Sequence, residues 1–149
     1  LKKAGMTMGI AESCSGGMAA SMITDVPGCS EVFLGSVVAY DNSVKIGQLG
    51  VAEETLNEHG AVSEPVAGMM AQGARAYLHA DWGLATTGIS GPTGGTEEKP
   101  VGLTYIAVAG PQATVVQEKH LIPHRLPHKA ATAQSALNLL RLELMNYVG

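Results

Sequence analysis

Three short segments gather the residue types that nucleophilic chemistry or anion binding requires. The first is AESCSGG, Ala11 to Gly17. It offers hydroxyls at Ser13 and Ser15, a carboxylate at Glu12, and two glycines, Gly16 and Gly17, that let a ligand approach the backbone. The second is TGISGPTGGTEEKPVG, Thr87 to Gly102, with five glycines and two prolines in sixteen residues. It matches neither a Walker A sequence nor a GxGxxG fingerprint. It reads two ways: as tight turns demanded by packing, or as a loop from Gly88 to Gly95 that holds a phosphate or nucleotide. The third is Tyr40, Asp41, Asn42 and Lys45. On one reading Asp41 or Asn42 caps a helix and Lys45 is a solvated charge. On the other, a hydroxyl at a strand-to-helix turn needs a base, and none of the three segments contains a histidine. A lysine serves if burial or a neighbouring cation lowers its pKa enough to populate the neutral amine.

Metal chemistry is not expected. His120, His124 and His128 recur every four residues, which on one helix would form a stripe. Pro123 and Pro127 interrupt the segment, and no carboxylate sits among the three, so exposed loop histidines are predicted. Cys14 and Cys29 are too few for a disulfide scaffold or a complete zinc site and are read as buried free thiols in a reducing cytoplasm. Glu53, Glu54, Arg141 and Glu143 read as solvated helix faces.

In open α/β sheets, ligands bind beyond the carboxyl ends of the strands, where helix-start amides favour anions. The elements predicted around the three segments have that form. Thr7–Ala11 reads as a buried strand, followed by a helix opening at Ser15–Gly17 and running to about Asp25. Val32–Tyr40, β-branched and aromatic, is the strongest strand pattern in the chain. Short helices follow at Ser43–Leu49 and Ala52–His59. Ser63-Glu64-Pro65 then starts a helix whose apolar face is Val66, Met69, Met70, Gly73, Ala74, Tyr77 and Leu78. Trp82–Thr87 reads as a strand leading into the glycine loop. Val101–Ala109 and Thr114–Leu121 read as a hairpin around Gly110-Pro111, and a helix from His128 to Tyr147 closes the chain. The sum predicts a three-layer α/β/α sandwich on a mixed, mostly parallel sheet. Residues 1–149 are read as a single domain. Leu1-Lys-Lys-Ala-Gly reads as the last turn of a helix, with residues upstream missing.

Composition narrows the classes of function. The chain has 149 residues, 46% hydrophobic and 15% charged, which excludes intrinsic disorder. Nine Lys+Arg against thirteen Asp+Glu give a net charge of −4, which disfavours general nucleic-acid binding. No apolar run approaches the roughly 20 residues of a membrane helix, and no secretory signal is visible.

In AESCSGG, the strand into AYDNSVK, GVAEETLNEHGAVSEPV and TGISGPTGGTEEKPVGLTY, the sequence resembles the CinA C-terminal domain family. The characterised members of that family are nicotinamide mononucleotide deamidases. The matching segments span Ala11 to Tyr105. Family members tend to carry an aromatic, then Gly-Asp-Arg, and a further Arg at the next helix start. This chain has HLIPHRLPHKAA there, keeping Arg125, with Lys129 in place of the second Arg.

The resemblance implies hydrolysis of the nicotinamide carboxamide to the carboxylate, with release of ammonia and no cofactor or metal. It makes Ser13 the nucleophile, Lys45 its general base and Tyr40 the group that orients Lys45 or assists proton transfer, with Ser30 as the rival nucleophile. Backbone amides around Ser15–Gly17 would hold the oxyanion. Gly88, Ser90, Gly91, Thr93, Gly94 and Gly95, with Glu12, Asn42 and Arg125, would contact the nucleotide. Two rivals stand beside this: a non-catalytic nucleotide-binding or interaction domain, and a hydrolase for another nucleotide. The family commonly self-associates, so a homodimer or higher homo-oligomer in the cytoplasm is expected.

Overall fold

The computed structural model describes residues 1–149. Strand β1 (Met8–Glu12) is buried at every position, as an interior strand covered on both faces must be. It pairs in parallel with β2 (Phe33–Val38) on one side and β3 (Trp82–Gly88) on the other. Strands β4 (Leu103–Ala109) and β5 (Thr114–His120) extend the sheet antiparallel, giving the order β2-β1-β3-β4-β5. Helices α1 (Met18–Thr24) and α5 (Arg125–Val148) cover one face. The other carries α2 (Asn42–Leu49), α3 (Glu53–His59) and α4 (Glu64–Tyr77). This is the three-layer α/β/α sandwich on a mixed sheet that the alternation of elements predicts.

The two faces differ in side-chain size. Ile10, Leu84, Ile106 and Val108 point toward α1 and α5. Their neighbours Ala11, Ala85 and Ala107 point toward α4. Alanines let α4 lie close against the strands. A Cβ placed on Gly83 would fall 2.9 Å from the Arg75 Cβ, so only glycine fits beneath that helix.

Two expectations about elements are corrected. The strand expected over Val32–Tyr40 is shorter, the six residues Phe33–Val38, and it lies at the edge of the sheet with Leu34 and Val38 exposed and a register shift opposite Met8 and Gly9. Strand propensity reports fit to a pleated, half-buried surface and does not fix a strand's place in the sheet. Helix α5 starts at Arg125, three residues before the expected His128. Pro127 is its third residue, where a missing N–H removes no intrahelical bond, so the proline does not interrupt the helix.

The three parallel strands end on one edge of the sheet. There β4 begins, β5 ends and α5 begins, so that edge gathers the segment after β1, Tyr40 after β2, the glycine loop after β3 and Arg125.

Candidate functional site

An open cleft of about 270 Å³ lies at this edge. It is lined by Ser13, Cys14, Tyr40, Asn42, Lys45, Ala61, Val62, Thr87, Gly88, Ile89, Ser90, Gly91, Thr93, Gly94 and Arg125. A larger hollow of about 780 Å³, between the first residues and α5, is lined by aliphatic side chains with Lys2, Lys3 and Arg141. It holds no hydroxyl, thiol or carboxylate, whereas the smaller cleft brings hydroxyls, a thiol and a lysine together.

Lys45 is not a solvated charge. It sits on α2, whose N-cap Asp41 accepts hydrogen bonds from the Ser43 amide at 2.8 Å and the Ser43 hydroxyl at 2.6 Å. The side chain is 1% exposed, and its Nζ donates to the Tyr40 carbonyl at 3.0 Å. Burial pushes its pKa below the ordinary lysine value, against smaller opposing contributions from Asp41 and Cys14. Tyr40 therefore holds Lys45 through its main chain. Its phenol accepts from Arg125 Nη2 at 2.9 Å. Arg125 Nη1 donates to the Gly91 carbonyl at 2.8 Å, so one guanidinium ties the Tyr40 ring to the glycine loop.

Ser13 follows β1 directly, and its amide donates to the Thr86 carbonyl at 3.0 Å, fixing the turn. Two other hydroxyls of the cleft are tied down, while that of Thr93, on the exposed part of the glycine loop, has no partner in the protein. Thr87 Oγ1 donates to the Ala61 carbonyl at 2.8 Å, and Ser90 Oγ lies 2.8 Å from His128 Nδ1. The Ser13 hydroxyl makes no hydrogen bond within the protein and borders the cleft. Burial pushes the neighbouring Cys14 thiol up to about 12, which leaves it protonated and weakly nucleophilic. Cys29 is half-buried, so of the two thiols only Cys14 meets the expectation of burial.

The glycine loop offers donors. The amides of Ser90, Gly91, Thr93 and Gly94 have no internal acceptor, whereas Ile89 and Thr96 on either side bond to Leu103 and Lys99. Gly91 adopts φ 76°, and a Cβ there would lie 2.5 Å from Val101 Cγ1. Only glycine satisfies both conditions.

Several residues expected at the site lie elsewhere. Glu12 is fully buried, with its carboxylate turned toward the start of α1. It accepts from the Ser15 hydroxyl at 2.7 Å and from the amides of Gly17, Ala19 and Ala20 at 3.0, 3.0 and 2.9 Å. This is an internal anion at a helix N-terminus, satisfying donors that have no intrahelical partner. Ser15 is likewise buried, 2.7 Å from Thr86 Oγ1. The Gly16 amide donates to the Ser13 carbonyl at 3.1 Å and the Gly17 amide to Glu12, so neither is free to hold an oxyanion. Ser30 precedes β2 in a 3₁₀ turn, exposed at the opposite edge of the sheet, a full strand length from Lys45. Gly95 is exposed, packs on Val101 and does not line the cleft.

Sequence reasoning missed His128. It is fully buried in the first turns of α5, between Ser90 and Thr104, and burial lowers its pKa. The signal was its spacing: His128, Thr132 and Ala136 continue one buried stripe at intervals of four. The other two histidines are exposed, His120 bonded to Glu118 at 2.9 Å and His124 at the α5 N-cap. No group of three or more His, Cys, Asp or Glu side chains is arranged to hold a metal ion.

A family model described as the CinA C-terminal domain matches residues 1–144. The chain belongs to the CinA C-terminal domain family. Among curated CinA relatives it is 51% identical over 149 residues to a CinA-like protein of Gloeobacter violaceus, covering 99% of this chain and 35% of that protein. It is 51% identical over 140 residues to a CinA-like protein of an Anaeromyxobacter species, covering 94% and 34%. The chain thus spans about a third of the length of these relatives. Among solved structures, competence/damage inducible protein CihA from Agrobacterium tumefaciens superposes with a TM-score of 0.91 at 38% identity, over 94% of this chain and 86% of that one. The CinA superfamily protein of Escherichia coli superposes with a TM-score of 0.89 at 30% identity, over 94% and 82%. No helix is long and apolar enough to cross a membrane.

Proposed function

We propose that this CinA-family domain is an amidohydrolase for a nicotinamide nucleotide, converting the carboxamide of nicotinamide mononucleotide to the carboxylate with release of ammonia. The observation that carries this reading is the pair of groups in one cleft. A lysine whose pKa is lowered by burial shares it with a serine hydroxyl that has no internal partner. Neither feature is needed to stabilise the fold. A buried ammonium with a single carbonyl partner is a cost that a structural role does not explain.

In the proposed sequence, neutral Lys45 takes the proton from Ser13 Oγ as that oxygen bonds to the carboxamide carbon. The resulting oxyanion is held by the Ser90 N–H, the unpaired loop amide that the phosphate does not take. One such donor is typically worth on the order of 10²–10³ in turnover. The intermediate collapses as protonated Lys45 delivers its proton to the leaving nitrogen, releasing ammonia and leaving an acyl ester on Ser13. Water, deprotonated by Lys45, then attacks the ester carbon. The carboxylate product departs as Ser13 Oγ recovers its proton. Arg125, Thr93, Gly91 and Gly94 supply the cationic and amide donors for the phosphate, while Tyr40, Asn42 and Gly88 border the rest of the ligand.

One observation favours a second reading, a nucleotide-binding module without catalysis: Lys45 Nζ bonds to the Tyr40 carbonyl and not to Ser13 Oγ. Product analysis separates the two. Incubation with nicotinamide mononucleotide is expected to give nicotinate mononucleotide and ammonia in equal amounts. Release of free nicotinamide would mean cleavage of the glycosidic bond. Binding without any product would favour the module.

A further inference from the structure

Ser90, His128 and Thr104 form a buried chain that ends in the cleft. Ser90 Oγ lies 2.8 Å from His128 Nδ1, and His128 Nε2 lies 2.7 Å from Thr104 Oγ1. The Thr104 hydroxyl also donates to the Gly102 carbonyl at 3.1 Å. His128 and Thr104 are completely buried, and Ser90 is 7% exposed, where it lines the cleft. A carbonyl oxygen only accepts, so the single proton of Thr104 is committed to Gly102. The Thr104 oxygen must then accept from the imidazole, which places the ring proton on Nε2. Nδ1 keeps its lone pair and takes the Ser90 proton. The Ser90 hydroxyl is left with lone pairs alone to offer a ligand.

From this we infer that His128 is a positioning residue that fixes Ser90 as a hydrogen-bond acceptor toward the cleft. The site thereby favours a ligand group that carries a proton at this point, a sugar hydroxyl or a carboxamide N–H, over a carboxylate or phosphate oxygen. The inference rests on the cleft being the nucleotide site proposed above. It gives that site a selection rule: a bare anionic oxygen against the Ser90 hydroxyl meets lone pairs and is disfavoured, so phosphate belongs with Arg125 and the loop amides.

The test has two arms. Nitrogen-15 NMR of the ligand-free parent reads the His128 tautomer directly and needs neither a variant nor activity. The expected signals are a protonated Nε2 and an unprotonated Nδ1. A proton on Nδ1 overturns the inference, whatever the enzyme does. The second arm measures KM and kcat for nicotinamide mononucleotide in Ser90→Ala, His128→Gln, His128→Asn and the double variant Ser90→Ala/His128→Gln. Losing one neutral hydrogen bond is expected to raise KM roughly 3- to 10-fold with kcat near the parent value. The double variant should be no worse than either single one. Asn keeps an acceptor near the position of Nδ1 and should restore KM, whereas Gln reaches only toward Thr104. Losses that multiply in the double variant, or an Asn variant as impaired as Gln, overturn the inference. If the parent binds the nucleotide without turning it over, the deamidase reading fails alone, and Kd from calorimetry replaces KM in the same comparison. A parent that does not bind the nucleotide overturns both.

Discussion

Lys45 embodies a conflict between stability and chemistry. Its ammonium is buried with one carbonyl partner, a position that favours the neutral amine and destabilises the charged one. Replacing it by Met removes the buried charge while keeping much of the volume. Lys45→Met is therefore expected to raise Tm by a few degrees while turnover falls on the order of 10²–10⁴. Because the lysine acts unprotonated and its pKa is lowered, turnover in the parent should rise with pH along a limb below the usual value of about 10.4. A profile flat across the neutral and alkaline range would count against Lys45 as base. The thiols give a separate check. A thiol reagent added to the native protein should modify half-buried Cys29 and spare Cys14, whose pKa stands at about 12, so Cys29→Ser should abolish the reaction. Ser13 and Lys45 were legible as residue types at a strand end and just beyond a strand. Glu12 was not, because an acid at a strand end looks the same in sequence whether it meets a ligand or caps a helix. Nor does sequence distinguish a tyrosine acting through its carbonyl from one acting through its phenol.

Helix α1 depends on that misread acid. It is seven residues long, too short to be stable by itself, and its first amides converge on Glu12. Removing the carboxylate orphans buried donors. Glu12→Ala is expected to cost about 3 kcal/mol or more, which in a domain of this size lowers Tm by about 6–12 °C in a thermal melt. A shift of a degree or two would mean that α1 is held by its packing on α5 and the sheet. Most helices and strands were readable from period and punctuation, as Gly50 after α2 and Ser63-Glu64-Pro65 at the start of α4 show. What sequence does not carry is what tertiary context decides. The β-branched run Val32–Tyr40 gives no indication that it lies at an edge. Pro127 reads as a breaker because its position in the first turn of α5 is invisible until the start of that helix is known.

At the level of the whole molecule, the fold acts as a jig. Parallel strands bring the ends of β1, β2 and β3 to one edge, and the antiparallel pair returns α5 to the same edge with Arg125 and His128. The core behind them is dense, so Leu84→Ala should cost about 2–5 kcal/mol in denaturant unfolding without moving the cleft residues directly. His128 ties the same architecture to pH. Its pKa is lowered in the folded protein, so on acidification below about 6.5 the unfolded chain takes up a proton that the folded one refuses. Stability contributed by the neutral ring is present above that pH and is lost as pH falls toward the folded value. Thermal melts across this window should show Tm dropping with acid in the parent and a flatter dependence in His128→Asn.

Ammonia release from nicotinamide mononucleotide reads the proposed Ser13–Lys45 chemistry itself. The parent, Ser13→Ala and Lys45→Ala would be assayed side by side with a metal chelator present. Turnover by the parent is expected to survive the chelator and to be abolished by each substitution while both variants still melt cooperatively. Undiminished ammonia release from a folded Ser13→Ala protein would contradict that chemistry.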